Sequence, residues 1–345
     1  MSLQKIFELA VNKKASDVHV FVGKPPILRI DGELKSIKSI DDLTKKSAGD
    51  LIFSILSDEQ KEKFLTSKEL DTSFELSGGD RLRVNCFFEK DNPGLVARII
   101  PSKIPSMEEV LLPEIAYDLT RLQRGLVLVT GPTGCGKSTT LAAMIDLINN
   151  ERSVNIVTLE DPIEFVFKPI KSIIKQRQVG TDTTAFAQGL KHILRQDPNV
   201  IMVGEMRDLE TIATTLTLAE TGHLVFATLH TNNASETIDR VIDVFPPHQQ
   251  EQIRVQLSMV LSGVIAQQLI SRKDGGRIAA REIMIKNSAI ANLIRESKTA
   301  QIRSVIQTSS SVKMISMDQD LQRLYKEKLI DKETADLYMV DGKTK

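Results

Sequence analysis

The feature that most constrains this sequence is a glycine-rich loop set between two apolar runs. Leu126-Val127-Leu128-Val129-Thr130 reads as a buried strand, and Leu141–Ile148 continues as a helix. Between them lies Gly131-Pro132-Thr133-Gly134-Cys135-Gly136-Lys137-Ser138-Thr139-Thr140. Gly131, Gly136, Lys137 and Ser138 fit the spacing G-x-x-x-x-G-K-[ST]. Such glycines let the backbone curl so that successive N–H groups aim at phosphate oxygens, and the following helix adds partial positive charge at its N-terminus. Residues Gly131 to Thr139 are therefore expected to hold a nucleotide, with Lys137 on its β- and γ-phosphates and Ser138 on Mg²⁺.

Phosphate chemistry on such a loop needs a carboxylate near the metal and a group that positions water. Two apolar runs end in acids. Val154–Leu159 leads to Glu160-Asp161-Pro162-Ile163-Glu164, and Val200–Gly204 leads to Glu205. Ligands of open parallel sheets sit beyond the carboxyl ends of the strands, so both clusters should face the phosphates. Glu205 is expected to bind Mg²⁺ through water or to act on the attacking water, and Glu164 is the candidate general base. The plainer alternative is that the acids cap helices, with Asp161-Pro162 as an N-cap and first-turn pair.

His223-Leu224-Val225-Phe226-Ala227-Thr228-Leu229-His230 reads as a further strand, with a histidine at each end. Seven residues of strand span roughly 23 Å, so the two imidazoles cannot share a metal ion. His230 ends the run on the expected nucleotide side, where it would sense the γ-phosphate. His223, at the far end, is suited to a subunit or domain contact.

Lys+Arg and Asp+Glu both total 45. That balance removes the excess positive charge on which bulk DNA or RNA binding depends, and no nucleic-acid partner is expected. No apolar run approaches a membrane span, and the first residues lack a signal-peptide core. With only two cysteines, the chain is expected to be cytosolic.

The texture divides the chain. Residues 1–100 read as a small α+β domain. It holds a helix around Ile6–Ala10, strands at Val18–Val22 and Ile27–Ile30, a turn at Asp31-Gly32, and a helical stretch over Ala48–Leu65. A hairpin follows, Arg81–Phe88 and Leu95–Ile100, turning at Lys90–Gly94. Residues 101–113 carry Pro101, Pro105 and Pro113 and read as a linker. Residues 114–286 alternate apolar runs with helical patterns, the signature of a parallel sheet. Residues 287–345 are expected to be helical, apart from a short loop or cap at Thr308–Ser311.

Several segments in order resemble the secretion-superfamily ATPases over nearly the whole chain. They are Ala15–His19 with Pro25–Gly32, the glycine loop, Leu159–Phe165, Leu194–Asn199 through Gly204–Asp208, and Gly222–Thr231. The resemblance implies an α/β protein: a PAS-like α+β N-terminal domain, a RecA-like P-loop ATPase core and a helical C-terminal extension. It implies a homo-hexamer that uses ATP and Mg²⁺, with ATP between the two domains and His223 as well as His230 in the nucleotide-associated motif. Arginines of the N-terminal domain, here Arg81, Arg83 and Arg98, would reach the phosphates, often across a subunit interface.

Within that superfamily, the chain is most similar to the type IV pilus retraction motors. These work at the cytoplasmic face of the inner membrane on a pilus platform protein. Ala289-Ile290-Ala291-Asn292-Leu293-Ile294-Arg295-Glu296 matches their C-terminal signature at all but Ala291, where the family has Arg. Extension motors, the alternative along with type II secretion ATPases, usually carry a four-cysteine zinc site. Cys86 and Cys135 cannot build one, so no zinc is expected. Cys135 also departs from the family, which has Ser there. Its place at a helix N-terminus suggests a lowered thiol pKa and sensitivity to oxidation.

Overall fold

The computed structural model describes residues 2–30, 32–100, 103–309 and 312–340. Asp31 of the expected turn, Pro101 of the expected linker, and Ser310 and Ser311 lie outside them. The chain forms two compact units, Met1–Lys103 and Ile104–Lys345.

The first unit is one antiparallel sheet with helices on one face. Its strands are β1 (Asp17–Val20), β2 (Ile27–Ile30), β3 (Glu33–Ser36), β4 (Glu69–Glu75), β5 (Arg81–Glu89) and β6 (Asn92–Ile100), in the order β3-β2-β1-β6-β5-β4. Side chains alternate between faces along a strand. Val18, Val20, Leu82, Val84, Cys86, Leu95 and Ala97 accordingly point into a core with Leu3, Ile6, Phe7 and Phe64 of the helices. The register puts Arg83 opposite Arg98, Arg98 opposite Asp17, and Asp17 opposite Arg29, all on the other face.

Two readings of this unit need correction. The stretch Ala48–Leu65 is two helices, Lys45–Phe53 and Asp58–Ser67. A capping box starts the second: Ser57 Oγ accepts from the Gln60 N–H, and Gln60 Oε1 accepts from the Ser57 N–H. The hairpin turn is also tighter than expected. Only Lys90 and Asp91 lie outside the strands, both with positive φ (49° and 63°), as a two-residue turn with the twist of its strands requires. Pro93 falls within β6 but before Leu95–Arg98, the part that pairs with β1, so its missing N–H breaks no bond on that side.

The second unit is built on a seven-stranded sheet. Its strands are β7 (Gly125–Thr130), β8 (Asn155–Glu160), β9 (Ile173–Gln178), β10 (Val200–Val203), β11 (Leu224–Leu229), β12 (Leu261–Ser271) and β13 (Arg277–Ile285). The order is β13-β12-β7-β11-β10-β8-β9, and only β13 runs antiparallel to its neighbour. Helices cover both faces, which explains the unbroken apolar runs. In β7, Leu126 and Leu128 pack into one core with Leu216, Ile238 and Leu257. Val127 and Val129 pack into the other with Leu141, Met144 and Ile148 of the helix Lys137–Glu151.

Met107 and Leu112 of the proline-bearing stretch are buried in that second core, and Ile104 and Val110 pack against it. The stretch is held from β13 as well. Buried Arg281 donates from Nη1 to the Leu111 carbonyl (3.0 Å) and from Nη2 to the Val110 carbonyl (2.8 Å). Its N–H donates to Asp320 Oδ2 (2.8 Å) of the helix Met317–Lys326, and Asp320 is also paired with Arg323. The helices Ser288–Arg295, Ile302–Thr308 and Lys332–Tyr338 complete the C-terminal part. Among the described residues no helix is long and apolar enough to cross a membrane.

Phe226 on β11 is fully buried between Val127 and Met202 of the flanking strands. Phe226→Ala is expected to lower unfolding free energy by about 3–5 kcal/mol. A urea midpoint equal to the parent's would contradict this placement.

Candidate active site

The loop leaves β7 at Thr130 and enters the helix Lys137–Glu151 through Gly136, whose φ of 89° is a left-handed conformation. Gly131 is required for a different reason. A Cβ there would lie 2.2 Å from the Gln267 carbonyl oxygen and 2.6 Å from Cys135 Sγ. Pro132, Thr133 and Gly134 form the exposed lip, and Ser138 and Thr139 are half-buried in the first helical turn. That turn's free N–H groups suit an anion.

Lys137 is buried, and its ammonium donates to the loop's own carbonyls, Gly131 O at 2.8 Å and Pro132 O at 3.0 Å. Burial lowers its pKa, opposed by the neighbouring Cys135, Glu205 and Glu164. His230 Nδ1 lies 3.4 Å from the ammonium, and its Nε2 lies 3.1 Å from Glu205 Oε1. An ammonium has no lone pair, so Nδ1 must accept and Nε2–H must donate to Glu205. Lys137, His230 and Glu205 thus form one chain, which joins the ends of the neighbouring strands β7, β11 and β10.

Glu205 follows β10 by two residues. Arg207 pairs with it at 2.8 Å. Burial pushes the Glu205 carboxyl up, but the hydrogen bonds from Arg207 and His230 and the charge of Arg207 outweigh this and hold it below the usual range. The segment is fixed from β11: the Met206 N–H donates to Thr228 O (3.0 Å), and the Thr228 hydroxyl donates to Gly204 O.

Glu160 ends β8 with a different fate. It is buried, and burial pushes its carboxyl up to about 7 despite donation from Thr158 Oγ1 (2.6 Å) and Gln176 Nε2 (3.1 Å). The Glu164 N–H also bonds to that carboxylate. Glu164 itself is exposed on the loop between β8 and β9. Asp161-Pro162 caps no helix; the peptide is cis and the chain runs irregularly to β9.

Other expected residues fall elsewhere. His223 sits at the opposite end of β11 from the loop, with Nδ1 3.0 Å from the Leu218 carbonyl oxygen. Seven residue steps along the strand, roughly 23 Å, separate it from His230, so it lies away from the phosphate loop. Cys135 is buried, and burial raises its thiol pKa against the opposing charge of Lys137. That overturns the expectation of an oxidation-prone thiolate, because the packing that closes the loop also shields the sulfur.

The three arginines belong to the first unit. Arg98 Nε donates to Asp17 Oδ1 (3.0 Å), and that carboxylate is 7% exposed as a residue. Arg81 Nη2 donates to Ser73 Oγ (3.2 Å). Arg83 is exposed, with no side-chain partner among the described residues.

Two residues were not singled out from sequence. Arg207 lies two positions after Glu205, a spacing that hints at its role. Gln267 bonds both the Cys135 carbonyl and the Thr140 hydroxyl from β12, and only its polarity within an apolar run could have drawn attention.

The folded pKa of Glu160 lies above the usual 4.5, so the folded state binds more protons and stability falls as pH rises from about 4.5 to about 7. Glu160→Gln is expected to be near the parent in stability at pH 4.5 and to exceed it by up to about 3 kcal/mol at pH 8. Denaturant titrations at the two pH values test this; a gap independent of pH would refute the buried neutral carboxyl.

The chain is 48% identical over 335 residues, 97% of each chain, to the type IV pilus retraction ATPase PilT of Pseudomonas aeruginosa. It is 48% identical over 311 residues to a twitching motility protein of Neisseria gonorrhoeae, covering 90% of this chain and 83% of that one. It superposes on a crystal structure of the pilus retraction motor PilT with bound ADP at a TM-score of 0.93, with 46% identity over 99% of this chain and 98% of that one. Residues 103–343 match the model of the type II/IV secretion system protein family, and the chain belongs to that family.

Proposed function

We propose that the chain is an ATP-hydrolysing motor that drives type IV pilus retraction. It would act as a homo-hexamer at the cytoplasmic face of the inner membrane, against a pilus platform protein. The observation that carries this reading is the meeting of Lys137, His230 and Glu205 at the carboxyl ends of three adjacent parallel strands.

The chemistry follows from the side chains. Phosphate oxygens compete for the Lys137 ammonium more strongly than the neutral carbonyls of Gly131 and Pro132, so ATP draws it off the loop. With Lys137 withdrawn, His230 would take up a proton at Nδ1, donate it in a hydrogen bond to the γ-phosphate, and keep its Nε2–H on Glu205. Arg207 keeps Glu205 ionised, as a group that orients water must be. Glu164, on the loop between β8 and β9, is the second base candidate. The Ser138 hydroxyl and Glu205 carboxylate are hard oxygen donors of the kind Mg²⁺ takes, and the ion would neutralise phosphate charge there. Arg81, Arg83 and Arg98 are proposed to complete the charge stabilisation, and Arg83 has no side-chain partner among the described residues to give up. Work comes from the difference in ATP and ADP affinity between closed and open states. With two cysteines and no means to build a zinc site, a retraction motor is favoured over an extension motor.

Lys137→Ala is expected to abolish phosphate release. Glu205→Gln should cut turnover by about 10²–10⁴ while ADP binding persists. Full turnover in either variant would remove that residue from the mechanism. In a host lacking the gene, excess surface pili with lost twitching are expected; bald cells would mean an extension motor instead.

A further inference from the structure

Gln267 is 1% exposed and lies on β12 one residue past Ala266, which is level with Thr130 of β7. It therefore stands beside the phosphate loop rather than beneath it. Its Nε2 donates to the Cys135 carbonyl at 2.7 Å, and its Oε1 accepts from Thr140 Oγ1 at 2.9 Å. The amide's orientation follows from the chemistry, because a carbonyl oxygen can only accept and must therefore face the NH₂ group. Thr140 would ordinarily bond a carbonyl one turn back in its own helix; here it bonds Gln267.

The peptide joining Cys135 to Gly136 is planar, and its C=O and N–H point in opposite directions. Holding the Cys135 carbonyl toward Gln267 therefore turns the Gly136 N–H away from Gln267. The second bond, to Thr140, ties the first helical turn to the same side chain. Loop and helix start are thus set by one buried amide.

We propose that Gln267 is a positioning residue for nucleotide phosphates, acting through the orientation of the Cys135–Gly136 peptide. The inference rests on the nucleotide-site reading above. Without the amide, the Cys135 carbonyl loses its partner and the peptide is free to rotate. The loss of one buried hydrogen bond corresponds to about tenfold in affinity.

The test is ADP binding by the full chain, measured for the parent, Gln267→Met and Gln267→Glu between pH 6 and 8.5, with thermal unfolding recorded without nucleotide. Met keeps the shape and removes both bonds, and ADP affinity is expected to fall about tenfold or more. In Gln267→Glu an ionised carboxylate opposes the Cys135 carbonyl, so that variant should bind worst at high pH. On acidification the introduced carboxyl takes up a proton and donates as the amide does, and affinity relative to the parent should recover. A purely structural role would not give that pH-dependent ratio. Gln267→Met binding within twofold of the parent, or a Gln267→Glu ratio that does not move with pH, would overturn the proposal. A parent that fails to bind ADP would instead overturn the nucleotide-site reading itself.

Discussion

The parallel register of β7 and β11 decides where chemistry can occur in the second unit. Gly125 pairs with Leu224 and Thr130 with Leu229, so the two strands end level. The next residues, Gly131 and His230, leave the sheet side by side. On the far side of β11, Val203 pairs with Ala227, and Glu205 emerges beside His230. Nothing in this arrangement tolerates a slip of one residue. Leu126 and Leu128 would trade cores with Val127 and Val129, and the loop would leave the sheet at the wrong height.

Around that fixed edge, three glutamates of one intrinsic acidity take three states. Glu205 is kept ionised by Arg207 and His230, Glu160 is pushed toward neutrality by burial, and Glu164 stands in solvent. Environment, not residue type, separates a carboxylate that can orient water from one that serves as a buried strut. The same contrast governs the two ends of β11. His230 and His223 flank one strand, yet only the carboxyl end meets the phosphate loop.

Legibility from sequence followed how local each signal was. The phosphate loop, β7, β10 and β11 carry their information in contiguous residues, as do the acid after β10 and the histidine after β11. β9 has no apolar run because it is an edge strand with an exposed Ile173 and polar Lys175–Gln178. β12 hid because a buried glutamine interrupts it. Gln267 is explained only by Cys135 and Thr140, more than a hundred residues earlier in the chain. The Cys135 reading failed for a related reason: the helix N-terminus is visible in sequence, but the packing that desolvates the thiol is not.

Arg281 ties together parts of the chain that sequence keeps far apart. It is 3% exposed, its guanidinium holds the carbonyls of Val110 and Leu111, and its backbone holds Asp320. Loss of the Asp320 carboxylate alone would take the acceptor from the Arg281 N–H and leave the buried guanidinium without its nearby negative charge. The two positions are therefore coupled under mutational drift. Passage from this pair to an uncharged one requires both changes together, with a partner found for two backbone carbonyls besides.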